Sequence, residues 1–66
     1  MLLAIDAGNT NTVFALCEDD KICQSWRCKT DPARTADEYA SWLLPLFTQS
    51  GVNFSQVTAI IISSVV

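Results

Sequence analysis

The run Val57-Thr58-Ala59-Ile60-Ile61-Ile62 constrains this chain more than any other feature. Its β-branched residues follow one another without polar alternation, the pattern of a strand buried on both faces. Such a strand needs one layer above the sheet and another below it. The chain has 66 residues, half of them hydrophobic. Below roughly 70–80 residues a single core seldom supplies more than a few kcal/mol without a disulfide, a metal or a partner. The strand asks for more cover than this length provides. We therefore expect residues 1–66 to be an incomplete portion of a larger domain, ending just after a core strand.

The segments before that run supply one side of such a domain. Leu2-Leu3-Ala4-Ile5 is a short apolar run that meets Asp6 and then Gly8, which reads as a buried strand with a polar residue emerging at its C-terminal end. Thr12 to Cys17 is β-rich through Thr12, Val13 and Phe14, and Glu18-Asp19-Asp20 is a turn. Ile22 to Thr30 reads as a third strand, with Ile22, Trp26 and Cys28 on one side and Gln24 interrupting the apolar face. Strands joined by tight turns in this way predict an antiparallel meander.

The period then changes. Asp31-Pro32-Ala33-Arg34 is a loop, and Thr35-x-x-Glu38 is a capping box that starts a helix at Thr35. Ala36, Tyr39, Ala40, Leu43, Leu44 and Phe47 recur at helical spacing as an apolar stripe. Pro45 deletes the amide that would bond to Ser41, so a kink or an irregular last turn is expected there. Gly51 is the stop signal. The predicted order is strand, strand, strand, helix, strand. Trp26, Trp42, Tyr39, Phe14 and Phe47 are expected to be core or interface aromatics.

Charge and cysteine content narrow the function classes. Four Lys+Arg stand against seven Asp+Glu, for a net charge of −3. The basic residues Lys21, Arg27, Lys29 and Arg34 are scattered singly, so no basic patch exists to track a nucleic-acid backbone. No apolar stretch approaches the ~20 residues that span a bilayer. The N-terminus has no basic segment followed by a long apolar one, which predicts no secretory leader and a cytoplasmic location. Cys17, Cys23 and Cys28 match no zinc spacing, and the chain has no histidine, so reduced, partly buried thiols are expected. Asn53-Phe54-Ser55 has the spacing of a glycosylation sequon, read here as coincidence.

The chemistry-bearing segment is Asp6-Ala7-Gly8-Asn9-Thr10-Asn11-Thr12, between the first two strands. Gly8 permits a positive φ and a close approach of backbone to ligand. Asn9, Thr10, Asn11 and Thr12 crowd amides and side-chain donors into one turn, the makings of an anion-binding nest. An acid at the entrance would repel phosphate unless a cation stood between them, and a hydrated Mg2+ on Asp6 resolves that conflict. The same residues are also good hairpin-turn chemistry that needs no ligand. Two other phosphate loops are excluded. A P-loop ends in Gly-Lys-Ser/Thr, and a dinucleotide fingerprint joins a strand to a helix.

Asp6 to Val13 resembles the first phosphate motif of the acetate and sugar kinase, Hsp70 and actin superfamily, whose members often carry Asp-x-Gly-Gly-Thr or Asp-x-Gly-Thr-Thr there. Asparagine after the glycine is more particular to the bacterial type III pantothenate kinases. Trp26-Arg27, Arg34-Thr35-Ala36-Asp37-Glu38-Tyr39 and Ile62-Ser63-Ser64-Val65-Val66 are similar to further segments of that family, in the same order. The resemblance covers essentially the whole chain.

That resemblance implies an α/β, RNase H-like (actin-like ATPase) fold, of which residues 1–66 would be the N-terminal β-β-β-α-β portion of the first of two duplicated halves. It implies ATP-dependent phosphorylation of pantothenate to 4'-phosphopantothenate, the first step of coenzyme A synthesis, in a homodimer using Mg2+ and a monovalent cation, K+ or NH4+. Asp6, Ala7, Gly8, Asn9, Thr10, Asn11, Thr12 and Val13 would bind ATP, with Asp6 on the metal side. The family's aspartate base, its pantothenate contacts and its monovalent-cation ligands match nothing within residues 1–66, so this segment alone is expected to be inert. Arg27 and Arg34 are expected to be solvated or ion-paired rather than on a phosphate. Ser63 and Ser64, at a strand end, are candidates to line a cleft. An alternative of another class is a catalytically silent relative that binds nucleotide as a regulatory or assembly factor. A nucleotide-gated switch of the Hsp70 or actin kind is a third, disfavoured by Asn9.

Overall fold

A computed structural model describes residues 1–64, and Val65 and Val66, the end of the Ile62–Val66 motif, lie outside the described residues. Strand β1 (Leu2–Ala7), β2 (Asn11–Glu18) and β3 (Lys21–Lys29) form the expected meander. Helix α1 (Ala36–Gln49) crosses back, a single 3-10 turn at Phe54–Gln56 follows, and β4 (Ala59–Ser64) closes the order. The sheet runs β3-β2-β1-β4, with β4 parallel to β1 and the other pairs antiparallel. This mixed four-stranded sheet with one helix is an α/β fold. It fits the β-β-β-α-β portion of an actin-like ATPase.

Each element has a local cause. The Glu18–Lys21 turn places both Asp19 and Asp20 at positive φ, 52° and 63°, the backbone that matches the right-handed twist of a hairpin. The Thr35 hydroxyl accepts from the Glu38 amide, and the Glu38 carboxylate accepts from the Thr35 amide, so the capping box forms as read. Gly51, at φ 75°, ends the helix. Pro45 sits within α1, which continues to Gln49 as one element, and its missing bond falls on the exposed side of the helix. Asn53, the first residue of the sequon-like triplet, caps the 3-10 turn by accepting from the Ser55 amide.

The core lies between α1 and one sheet face. Leu3, Phe14 and Leu16 of the sheet meet Leu43 and Phe47 of the helix, with Leu16 and Phe47 at 0% and 1% exposure. Aromatic contacts knit the layer. Phe14 tilts against Tyr39 and Trp42 at 6.1 and 5.5 Å between centroids, and Phe47 stacks on Trp26 at 5.3 Å. The five aromatics read as core are all here. Ile22 is not. It lies 68% exposed, beyond the Leu16/Cys17 register shift of the β2–β3 pair.

The expectation for the last strand is met in type but not in burial. β4 starts at Ala59, because Val57 caps the 3-10 turn and the Thr58 amide donates to the Met1 carbonyl. All of its residues are exposed, Ile62 to 67%. The physical reason is that α1 packs over β1, β2 and β3 on one face, and β4 is the sheet edge. Among the described residues nothing covers β4 or the opposite face.

Candidate functional site

The loop between β1 and β2 lies at the C-terminal end of the parallel pair β1–β4, where α/β sheets usually present ligand sites. Alternation along β1 turns Leu3 and Ile5 toward the helix and Asp6 to the opposite face. Asp6 is exposed there, paired in register with Val13 on one side and Ser63 on the other. Arg27 pairs with Val13 in turn, so Arg27, Val13, Asp6 and Ser63 form one row across the sheet. Ser64 pairs with Ala7 and belongs to the helix-side row. Of the two serines, only Ser63 stands beside the carboxylate.

The loop is closed by the Gly8 amide, which donates to the Asn11 carbonyl at 2.9 Å. Gly8 uses its lack of a side chain for space, and the positive φ that glycine permits is not adopted. A Cβ on Gly8 would lie 3.0 Å from the Asn11 carbonyl oxygen, and Gly51 is the glycine with positive φ. Asn9, Thr10 and Asn11 are exposed, and among the described residues the amides of Asn9 and Thr10 donate to no protein acceptor. Thr12 is 4% exposed and its hydroxyl turns inward to Thr30. The segment thus presents a carboxylate, free amides and short polar side chains on one rim.

Thr30 is a residue that sequence reasoning did not single out. Its hydroxyl donates to the Gly8 carbonyl at 2.8 Å and lies 2.9 Å from the Thr12 hydroxyl, while its amide donates to the Thr10 carbonyl at 2.9 Å. The sequence signal for it is faint: a threonine at the end of a strand whose hairpin register brings it back to the loop.

Arg34 is occupied within the fold. Its guanidinium donates to the Cys28 thiol at 3.7 Å and the Lys29 carbonyl at 3.3 Å, and lies 5.1 Å from the Tyr39 ring centre. Among the described residues it is packed rather than ion-paired. Arg27 is exposed on the Asp6 face. The three cysteines are free thiols, Cys17 and Cys28 half-buried as expected but Cys23 exposed, because β3 is the outer strand of the sheet.

Among the described residues, no group of three or more His, Cys, Asp or Glu could cage a metal. Asp6, at the rim of a loop with free amides, is the one carboxylate of the Asp6–Thr12 segment. Also among the described residues, no helix is long and apolar enough to cross a membrane.

Residues 2–66 match the family model for type III pantothenate kinase. Proteins named type III pantothenate kinase from Gluconobacter oxydans and Rhizorhabdus wittichii are each 56% identical over the 66 residues, and one from Hyphomonas neptunium is 52% identical. Each match covers 100% of this chain and 24–26% of the relative, so the chain spans about a quarter of their length.

Proposed function

Since the chain belongs to the type III pantothenate kinase family, we propose that it is the N-terminal portion of the first RNase H-like half of an enzyme that transfers phosphate from ATP to pantothenate. The product would be 4'-phosphopantothenate, the entry to coenzyme A synthesis. The observation that carries the site assignment is the rim at the end of β1. An exposed carboxylate, Asp6, precedes the free amides of Asn9 and Thr10 where the parallel strands end.

Phosphoryl transfer is mostly positioning and charge neutralisation, so those are the parts to look for. The free amides of Asn9 and Thr10 would donate to phosphate oxygens, as backbone nests do. Asp6 would hold Mg2+, which when bound neutralises charge on the phosphates and orients them. Ala7, Thr12 and Val13 would contribute as the strand ends that fix the loop. The aspartate that accepts the proton of the pantothenate hydroxyl has no match among residues 1–66 and is assigned to the later part of the protein.

A monovalent cation, K+ or NH4+, homodimerisation and a cytoplasmic location complete the reading, each resting on the family likeness. The open sheet face and the uncovered β4 support further layers supplied by the rest of the subunit. The test is ATP-dependent phosphorylation of pantothenate by the full-length protein with Mg2+, with and without K+. Turnover that needs both cations is expected. An absence of turnover with both present would refute the enzyme and leave the silent nucleotide-binding relative.

A further inference from the structure

We propose that Thr30 is the positioning residue of the phosphate loop, holding the peptide planes of Gly8 and Thr10 so that the loop amides face the nucleotide. This rests on the reading of residues 6–13 as that loop.

The bonding pattern has one direction. A threonine hydroxyl carries one proton. The Thr30 proton goes to the Gly8 carbonyl at 2.8 Å, so the 2.9 Å contact between Thr12 and Thr30 must be donated by Thr12. The chain runs from the Thr12 hydroxyl to the Thr30 oxygen, and from the Thr30 hydroxyl to the Gly8 carbonyl. Thr12 is 4% exposed, and among the described residues no buried side-chain polar atom lacks a partner, so the relay is fully satisfied. Linked hydrogen bonds in a protected setting polarise one another and resist rotation.

The consequence lies in the trans peptide. Within a planar trans unit the carbonyl and the next amide point in opposite directions. Pulling the Gly8 carbonyl toward Thr30 therefore aims the Asn9 amide away from it, outward. The Thr30 amide also holds the next plane but one, through its 2.9 Å bond to the Thr10 carbonyl. In an ordinary tight turn the Gly8 carbonyl would instead accept from the Asn11 amide and use that donor up. Here the Gly8 carbonyl accepts from the Thr30 hydroxyl instead, and the Asn9 and Thr10 amides have no protein acceptor among the described residues. Thr30, one residue beyond β3, thus holds the Gly8–Asn9 and Thr10–Asn11 peptide planes of a loop between β1 and β2.

Three substitutions in the full-length protein test this. Thr30→Val keeps shape and removes the hydroxyl. It should raise the KM and the Kd for ATP roughly tenfold, the loss of about one or two hydrogen bonds, with the KM for pantothenate unchanged. Thr30→Ser restores the hydroxyl and should return both ATP constants to within about twofold of the parent. Thr30→Cys, with only a weak donor, gives the same comparison if the valine variant does not fold. An unchanged ATP affinity, or a lowered melting temperature with ATP constants unmoved, overturns the proposal and makes Thr30 merely structural. Asp6→Asn serves as the control on the loop itself. If that change leaves turnover and ATP binding intact, the loop assignment fails and the Thr30 proposal with it. If Asp6→Asn abolishes turnover while Thr30→Val does nothing, only the Thr30 proposal falls.

Discussion

Asp6 and Ser63 stand opposite each other across the parallel β1–β4 ladder, with Val13 completing the row on the other side of Asp6. The carboxylate and the hydroxyl therefore share one sheet face, at the end where the loop amides emerge. They are separated by 57 positions in sequence, and only the parallel crossover through α1 brings them together.

Asp6→Asn in the full-length protein removes the charge and keeps nearly the same volume. Because Asp6 is exposed and lies outside the core cluster, the melting temperature should hardly move. Turnover should fall on the order of 100-fold or more, the scale of losing a charge stabiliser in group transfer. Kinetic assay alongside thermal unfolding checks both halves.

Gly8→Ala tests the steric reading of the loop. The new Cβ would sit 3.0 Å from the Asn11 carbonyl oxygen, which already accepts the Gly8 amide. That bond must stretch, and a stability loss of about 1 kcal/mol is expected, together with weaker ATP binding. Denaturant unfolding and nucleotide titration measure the two effects. A variant as stable as the parent would show that the loop yields freely.

Pro45→Ala should stabilise. Pro45 is exposed within α1 and withholds an amide from the helix ladder. Restoring that bond is expected to be worth about 1–3 kcal/mol, the upper figure being the full penalty of proline in a helix interior. No gain in denaturant midpoint would mean that proline serves the packing of whatever covers that surface.

Phe47→Ala should be the most damaging of these changes. Phe47 is 1% exposed and stacks between Trp26 and Phe54, at 5.3 and 5.8 Å. A loss of about 3–5 kcal/mol is expected, since the rigid aromatic neighbours cannot collapse into the space. Equilibrium unfolding measures it, and a loss under 1 kcal/mol would show that α1 is dispensable to the sheet.

The sequence by itself determined the element order, the capping box at Thr35 and the loop that carries Asp6; of the helix stripe, Tyr39, Leu43 and Phe47 face the core while Ala36, Ala40 and Leu44 are exposed. Each of these is a local matter: hydrophobic period, turn chemistry and cap geometry act within a few residues. It also carried the likeness to a kinase family over its whole length. Tertiary structure alone decided which face Asp6 occupies beside Ser63, how tightly Gly8 approaches the Asn11 carbonyl, that Arg34 is packed against Cys28 and Tyr39, and that Thr30 bonds the loop. Those depend on strand register and on a parallel crossover, which pair residues far apart in the chain. The same distinction explains β4. Its sequence prescribes burial, but burial is conferred by neighbouring layers, and α1 covers only the other strands on one face.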